Sequence, residues 1–249
     1  PAIGATTPKP PPQKTTNEDV RPLLPCDIFS NDQVDSINND LIAQIHKEAT
    51  LRQKTLTAAN YLINFPYSIP YAYETSRIGY EYSAVYAGSG LFLKSITDNG
   101  KVYAPWGCYL DEPTPLYDNI KNLDGKFANG LHCSSFIRWC LYNAGIRGDI
   151  VKRETIANKF KEIPGVNTLT LETNTAKIRE GDILHFTGHV AIVLEVRNDT
   201  VKFAESAIWN SDHKDKRNGL RWRTFNKSTT DYSTFRFKWL LDMSKIYGE

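Results

Sequence analysis

Residues 129–145, Asn-Gly-Leu-His-Cys-Ser-Ser-Phe-Ile-Arg-Trp-Cys-Leu-Tyr-Asn-Ala-Gly, constrain this chain more than any other stretch. Phe136, Ile137, Cys140, Leu141 and Ala144 recur at helical spacing, and Gly145 supplies a stop just beyond them. The rest of the chain has to cover that apolar stripe. Cys133 falls in the opening turn, where N–H groups and the positive end of the macrodipole favour a thiolate. On position alone two readings fit equally. Cys133 is a nucleophile if an imidazole lies nearby, or it is one more buried thiol, since free cysteine is among the most buried residue types.

At 249 residues and 41% hydrophobic, the chain can bury one good core and still have residues for a tail or small lobe. A net charge of +2 is too small to argue for nucleic acid, so none is expected, and it allows at most a weak attraction to anionic cell-wall polymers. No run of about 18 apolar residues occurs, so no membrane span is expected. The sequence starts at Pro1 without a Met or a signal peptide, and the expectation is a mature or a trimmed chain, either of which would hide an export signal. Four cysteines, Cys26, Cys108, Cys133 and Cys140, are too few for a disulfide framework. Cys26–Cys108 is the pair to test in an exported protein, because Cys133 and Cys140 share the helix; free thiols throughout are the default expectation. There is no CxxC, which argues against a zinc ribbon.

Residues 1–25 are crowded with proline (Pro8, Pro10, Pro11, Pro12, Pro22, Pro25) and read as an extended linker or tail outside the core. Such a linker would suit a tether to a further, wall-anchoring module; a terminal segment with no role fits as well. Val34, Ile37, Leu41, Ile42 and Ile45 predict a helix over 31–49, capped by Ser30 or Asp32. A second helix is predicted over 51–65, ended by Pro66 and Pro70. The stretch 67–129 is irregular, with aromatic loops at 69–73 and 103–107 of the kind that line grooves. A short helix is expected over 154–163. Strand signals follow at 182–186, 189–196, 200–206, 220–225 and 233–240. Helices first and an antiparallel sheet second make the fold α+β.

A cysteine nucleophile needs a base, and the base needs a group that holds its tautomer. The chain has five histidines. His46 and His213 sit among charged neighbours and read as solvated. His189 opens an apolar strand directly after Gly188, so its ring is expected at the end of the sheet beside a helix terminus. The third member rests on hairpin parity. A three-residue turn at 197–199 pairs Glu205 with Ala191 and makes it a diagonal neighbour of His189. A two-residue turn, Asn198-Asp199, slips the register by one and brings Ser206 toward the histidine instead. Glu205 is preferred, since a carboxylate both fixes a tautomer and stabilises imidazolium; an ordinary edge-strand charge is the competing reading. His185 and His189 on a metal, with Glu205 or Cys133, would want a third convincing ligand, and no metal is expected.

The segment Gly130-Leu131-His132-Cys133-Ser134-Ser135-Phe136-Ile137-Arg138-Trp139 resembles the NlpC/P60 signature, written DCSGFV around its nucleophile. Gly181-Asp182-Ile183-Leu184, followed by Gly188-His189-Val190-Ala191-Ile192, is similar to that family's GD and GHVGI block. Pro70-Tyr71 looks like its PYxWGG segment, and Trp106-Gly107 like a second WG. The likeness covers about 51–225. It implies a papain-like fold in which a Cys-bearing helix lies on an antiparallel sheet, with a catalytic domain over 51–249, an N-terminal helical extension over 26–50 and an insertion at about 77–129 that could cap the cleft. It also implies a secreted or wall-associated bacterial peptidase that hydrolyses amide bonds in peptidoglycan stem peptides next to γ-D-glutamyl, without a cofactor; a monomer is expected. Cys133 would be the nucleophile, His189 the base and Glu205 the orienting group, with Tyr71, Trp106, His132 and Ser134 on the substrate side.

Departures from the family pattern point to what differs here. His132 replaces the Asp that in the family helps hold a substrate amine. Ser135 replaces Gly, Tyr73-Glu74 stands where Trp-Gly is common, and Glu205 occupies a place more often filled by His, Asn or Gln. A repurposed wall-binding module on the same fold, or a related thiol amidase or acyltransferase, are the alternative functions.

Overall fold

In the computed structural model, which describes residues 19, 21–71, 96–98, 101–103, 108–110, 127–152, 157–207, 219–228 and 237–249, the apolar spacings become elements close to where the sequence places them. Helix α1 (Asn31–Lys47) is opened by a reciprocal capping box: Ser30 Oγ accepts the Gln33 N–H, and the Gln33 side chain accepts the Ser30 N–H. Its stripe of Val34, Ile37, Leu41 and Ile45 is buried. Helix α2 (Leu51–Asn64) starts from Thr50, whose side chain accepts the Gln53 N–H at 3.2 Å, and stops short of Pro66. Helix α3 (Cys133–Asn143) carries the thiol on its first residue. It ends where Gly145 takes a left-handed φ of +99°, a conformation glycine adopts without steric cost.

The sheet has six strands in the order β5 (Asn167–Thr170), β10 (Trp239–Asp242), β6 (Ile183–Phe186), β7 (His189–Arg197), β8 (Thr200–Ala207) and β9 (Gly219–Asn226). Every neighbouring pair is antiparallel, and with the helices this makes the chain α+β. One face, through Val190, Ile192, Leu194, Ala204, Leu220 and Trp222, joins the helices in a single core. The other face, through Ala191, Val193, Val201, Phe203 and Phe225, is covered by Leu171, Ile178 and Phe237. Burial on both faces is why β7 reads as an unbroken apolar run instead of an alternating one. Among the described residues, no helix is long and apolar enough to cross a membrane.

Several expectations need correction. The 233–240 strand begins only at Trp239, its first four residues lying outside the described ones. The helix expected over 154–163 is a 3-10 turn at Ala157–Glu162, with 154–156 outside the description. Strand β5 was not expected: it is short and mostly exposed, so it carries no apolar pattern to read. Four three-residue strands, β1 (Ile96–Asp98), β2 (Lys101–Tyr103), β3 (Cys108–Leu110) and β4 (Phe127–Asn129), pair as β1–β2 and β3–β4 within the stretch taken as irregular.

The proline-rich stretch also does not stay outside the core up to residue 25. Leu24 is fully buried, and Leu23 bridges Ser68 in parallel. Arg21 donates to the carbonyls of Leu62 and Phe65, each at 2.7 Å, and so closes the C-terminal end of α2. Nor are all thiols free. Cys26 and Cys108 form a disulfide across 82 residues, tying the start of α1 to β3, while Cys133 and Cys140 remain reduced.

Candidate active site

The site begins with the helix cap. His132 is the N-cap of α3, and its Nδ1 accepts the Ser135 N–H at 3.2 Å. Ser135 returns the bond, its Oγ accepting the His132 N–H at 2.9 Å. An acceptor at Nδ1 puts the proton of a neutral His132 on Nε2. The imidazole thus performs the capping that an Asp would, and it also helps lower the pKa of the adjacent thiol. Ser134 is fully buried and turns its Oγ to within 3.0 Å of the same Nδ1. Its side chain therefore serves the cap.

His189 arrives from the first position of β7 and is the second imidazole to lower the Cys133 pKa. The β7–β8 hairpin takes the turn that should have misplaced Glu205. Arg197 faces Thr200, so the turn is the two-residue Asn198-Asp199, with Asn198 at φ +49°. A bulge restores the lost step: Glu195 faces Lys202, but Val193 faces Phe203, and Leu194 is the extra residue. Beyond it Ile192 faces Ala204, and extending that register by one step would set Ala191 against Glu205. The bulge also lets Val190, Ile192 and Leu194 stay under the helices while Val196 joins the opposite cluster. Glu205 is thus a diagonal neighbour of His189, and its Oε2 lies 2.7 Å from His189 Nε2. With Nε2 engaged, Nδ1 is the ring nitrogen left for the thiol. Phe237 stacks on the ring at 5.8 Å and 17°, which fixes its plane.

Strand β9 completes the arrangement. Arg221 stands directly opposite Glu205 and holds its Oε1 with Nε at 2.8 Å and Nη2 at 2.6 Å. Arg223, two residues along the same face, places Nη1 3.6 Å from that oxygen. Glu205 is 3% exposed, and a carboxylate so buried is tolerable only with partners of this kind. Burial pushes its pKa up, but the Arg221 charge and the His189 bond outweigh that and hold it well below the usual carboxylate range.

The same balance operates on the other two groups. Burial raises the Cys133 pKa, yet hydrogen bonds from His132 and His189 and the charge of His189 bring it down to about 6. Burial lowers that of His189, yet the bonds to Cys133 and Glu205 carry it up to about 10. At neutral pH the pair is therefore thiolate and imidazolium. The thiol is 7% exposed and the imidazole side chain 22%, so solvent reaches the pair from the histidine side. A thiolate at a helix start beside an imidazolium can attack an electrophilic carbon and pass a proton to what leaves.

Backbone contacts fix the loop before the thiol. Leu131 N–H donates to Pro70 O at 3.2 Å, and Ser206 Oγ donates to Leu131 O at 2.6 Å. On its other side the 68–70 segment meets β9, where Leu220 N–H donates to Ile69 O at 2.7 Å. Tyr71 follows directly and is half-buried. Trp106 and His213 lie outside the described residues. His46 is exposed; His185 is fully buried against Trp239, with ring centroids 5.4 Å apart. Among the described residues, no group of three His, Cys, Asp or Glu could hold a metal.

Reading the sequence missed Arg221, Arg223 and Phe237. Two arginines at alternate positions of an otherwise apolar strand were a usable signal, since they had to share a face with some buried anion. Phe237 carried no such signal. Comparison with protein-family models, with curated proteins and with solved structures finds no match to this chain.

Proposed function

We propose that this chain is a cysteine peptidase of the NlpC/P60 kind, with a papain-like arrangement of its α+β fold, that hydrolyses amide bonds in peptidoglycan stem peptides next to γ-D-glutamyl. One observation carries the reading: a thiol on the first residue of a helix has its pKa lowered by an imidazole whose Nε2 is 2.7 Å from a buried carboxylate. The Cys133 thiolate attacks the amide carbon, and the developing oxyanion is met by N–H groups at the start of α3. Imidazolium His189 gives its Nδ1 proton to the leaving amine, and the C–N bond breaks to leave a thioester. Neutral His189 then takes a proton from water as the hydroxide equivalent adds to the thioester, and the C–S bond breaks to return the carboxylic acid and the thiolate–imidazolium pair. No step calls for a cofactor.

The Cys26–Cys108 disulfide favours an oxidising compartment, and so a secreted or wall-associated protein. Prolines in the first residues suit a tether to a wall-anchoring module. A monomer is sufficient, because Cys133, His189 and Glu205 all come from one chain. Digestion of defined muropeptides, with products read by mass spectrometry, tests the proposal. Wild type should release stem-peptide fragments and Cys133→Ala none. Retention on purified wall without any release by wild type would assign the chain to wall binding instead.

A further inference from the structure

We propose that Arg221 is a positioning residue that divides the Glu205 carboxylate: it occupies one oxygen so that His189 receives only the other, and its charge keeps the imidazolium able to give up its proton. The inference rests on the thiol-peptidase reading and goes beyond it, since a carboxylate in the orienting place creates a difficulty that an amide does not. A bare buried carboxylate stabilises imidazolium strongly. That favours the thiolate pair but opposes the next step, in which the proton must leave for the amine. A group that orients the ring while surrendering part of its charge serves both steps.

The geometry has that form. Arg221 sits across from Glu205 in the β8–β9 ladder, is 9% exposed, and reaches Oε1 with two N–H groups at 2.8 and 2.6 Å. His189 Nε2 meets Oε2 at 2.7 Å. Two donors on one oxygen and one on the other leave the carboxylate no freedom to rotate away from the ring. Among the described residues, the titratable and charged groups around the pair are Cys133 and His132 at the start of α3, Glu205 from β8, and Arg221 and Arg223 from β9; Phe237, on the ring's face, does not titrate. Arg221 and Arg223 are thus, among the described residues, the cations that offset Glu205 at the oxygen His189 does not use. Burial of Glu205 and the Arg221 charge are the two largest influences on its ionisation, in that order.

An NMR titration of the His189 imidazole in the full chain, with no substrate present, tests this. In Arg221→Met the imidazole should titrate higher by about one pH unit, a tenfold change in its proton-release equilibrium. Arg221→Lys, which keeps the charge, should return most of that shift. The basic limb of the pH–rate profile for muropeptide cleavage should move upward in the same order. A folded Arg221→Met whose imidazole titrates with wild type overturns the proposal, as does an Arg221→Lys shifted as far as Arg221→Met. If Arg221→Met does not melt cooperatively, Arg223→Met carries the test: a smaller upward shift supports the proposal and none overturns it. Because the titration needs no substrate, a wild type that cleaves nothing would remove the peptidase reading and leave this result to be judged alone.

Discussion

Gly130 lies flat against Pro70: a Cβ on the glycine would stand 1.8 Å from the proline carbonyl oxygen. That oxygen also accepts the Leu131 N–H, so the approach sets the height of the loop that delivers Cys133. Backbone cannot retreat as a flexible side chain can. Gly130→Ala should therefore cost about 1–3 kcal/mol, in the range of overpacked sites. Urea unfolding with fluorescence detection would measure it; a midpoint equal to wild type would mean the loop is free to move and does not fix the thiol.

The thiolate–imidazolium pair predicts an unusual alkylation profile. Iodoacetamide should modify Cys133 with a rate that rises near pH 6, whereas an unassisted thiol reacts near its reference pKa of about 8.5. A second change should follow near pH 10, as His189 gives up its proton. In His189→Ala the rise should move above the reference value, because burial then acts with less opposition. Equal rates for wild type and His189→Ala at pH 7 would contradict the pairing.

His132 has two duties that one substitution can separate. Asn is as good an N-cap as Asp or Ser, but it offers the thiol no imidazole. His132→Asn should keep the wild-type melting temperature while the alkylation profile moves to higher pH. His132→Ala should lose both, with about 1 kcal/mol of stability gone from the missing cap. If His132→Asn alkylates like wild type, the ring caps the helix and does nothing for the sulfur.

What the sequence discloses depends on how local each cause is. Cys133 at a helix start and His189 at a strand start follow from spacing over a dozen residues, and α1, α2 and α3 lie where their stripes put them. The position of Glu205 followed from a premise that failed: the turn is two residues, and only the bulge at Leu194 restores the register that lets the carboxylate reach His189. A bulge is a compromise among packing on two faces, and the local pattern of apolar residues does not display it. Contacts between distant segments were hidden for a similar reason. Arg21 on the end of α2 and the burial of Leu24 arise only once the chain has closed on itself. Proline content said that 1–25 lacks helix or strand periodicity, which is a different matter from lacking contacts. Cys26–Cys108 could be named as the pair to test by elimination, yet the expectation of free thiols throughout failed.

Glu205 gives the clearest dependence of stability on pH. Its carboxyl is held well below its ordinary range in the folded chain, so it contributes stability that is present above the unfolded value of about 4.5 and is lost as pH falls below it. The thiol and imidazole add little to the slope at neutral pH. Between about pH 6.5 and 9, the unfolded chain holds the shared proton on sulfur and the folded chain holds it on the ring, so the number of bound protons does not change. Glu205→Gln should therefore be less stable than wild type at pH 7 by about 3–5 kcal/mol, since it leaves Arg221 and His189 buried against a neutral amide. That difference should stay level from pH 7 down to about 5 and then shrink toward pH 3, where wild type begins to lose the contribution that the variant never had. Guanidinium unfolding of both proteins across pH 3–8 measures the gap directly. Parallel curves would show that the carboxylate titrates normally, and the account of Arg221 and His189 as its ion-pair partners would fall with it.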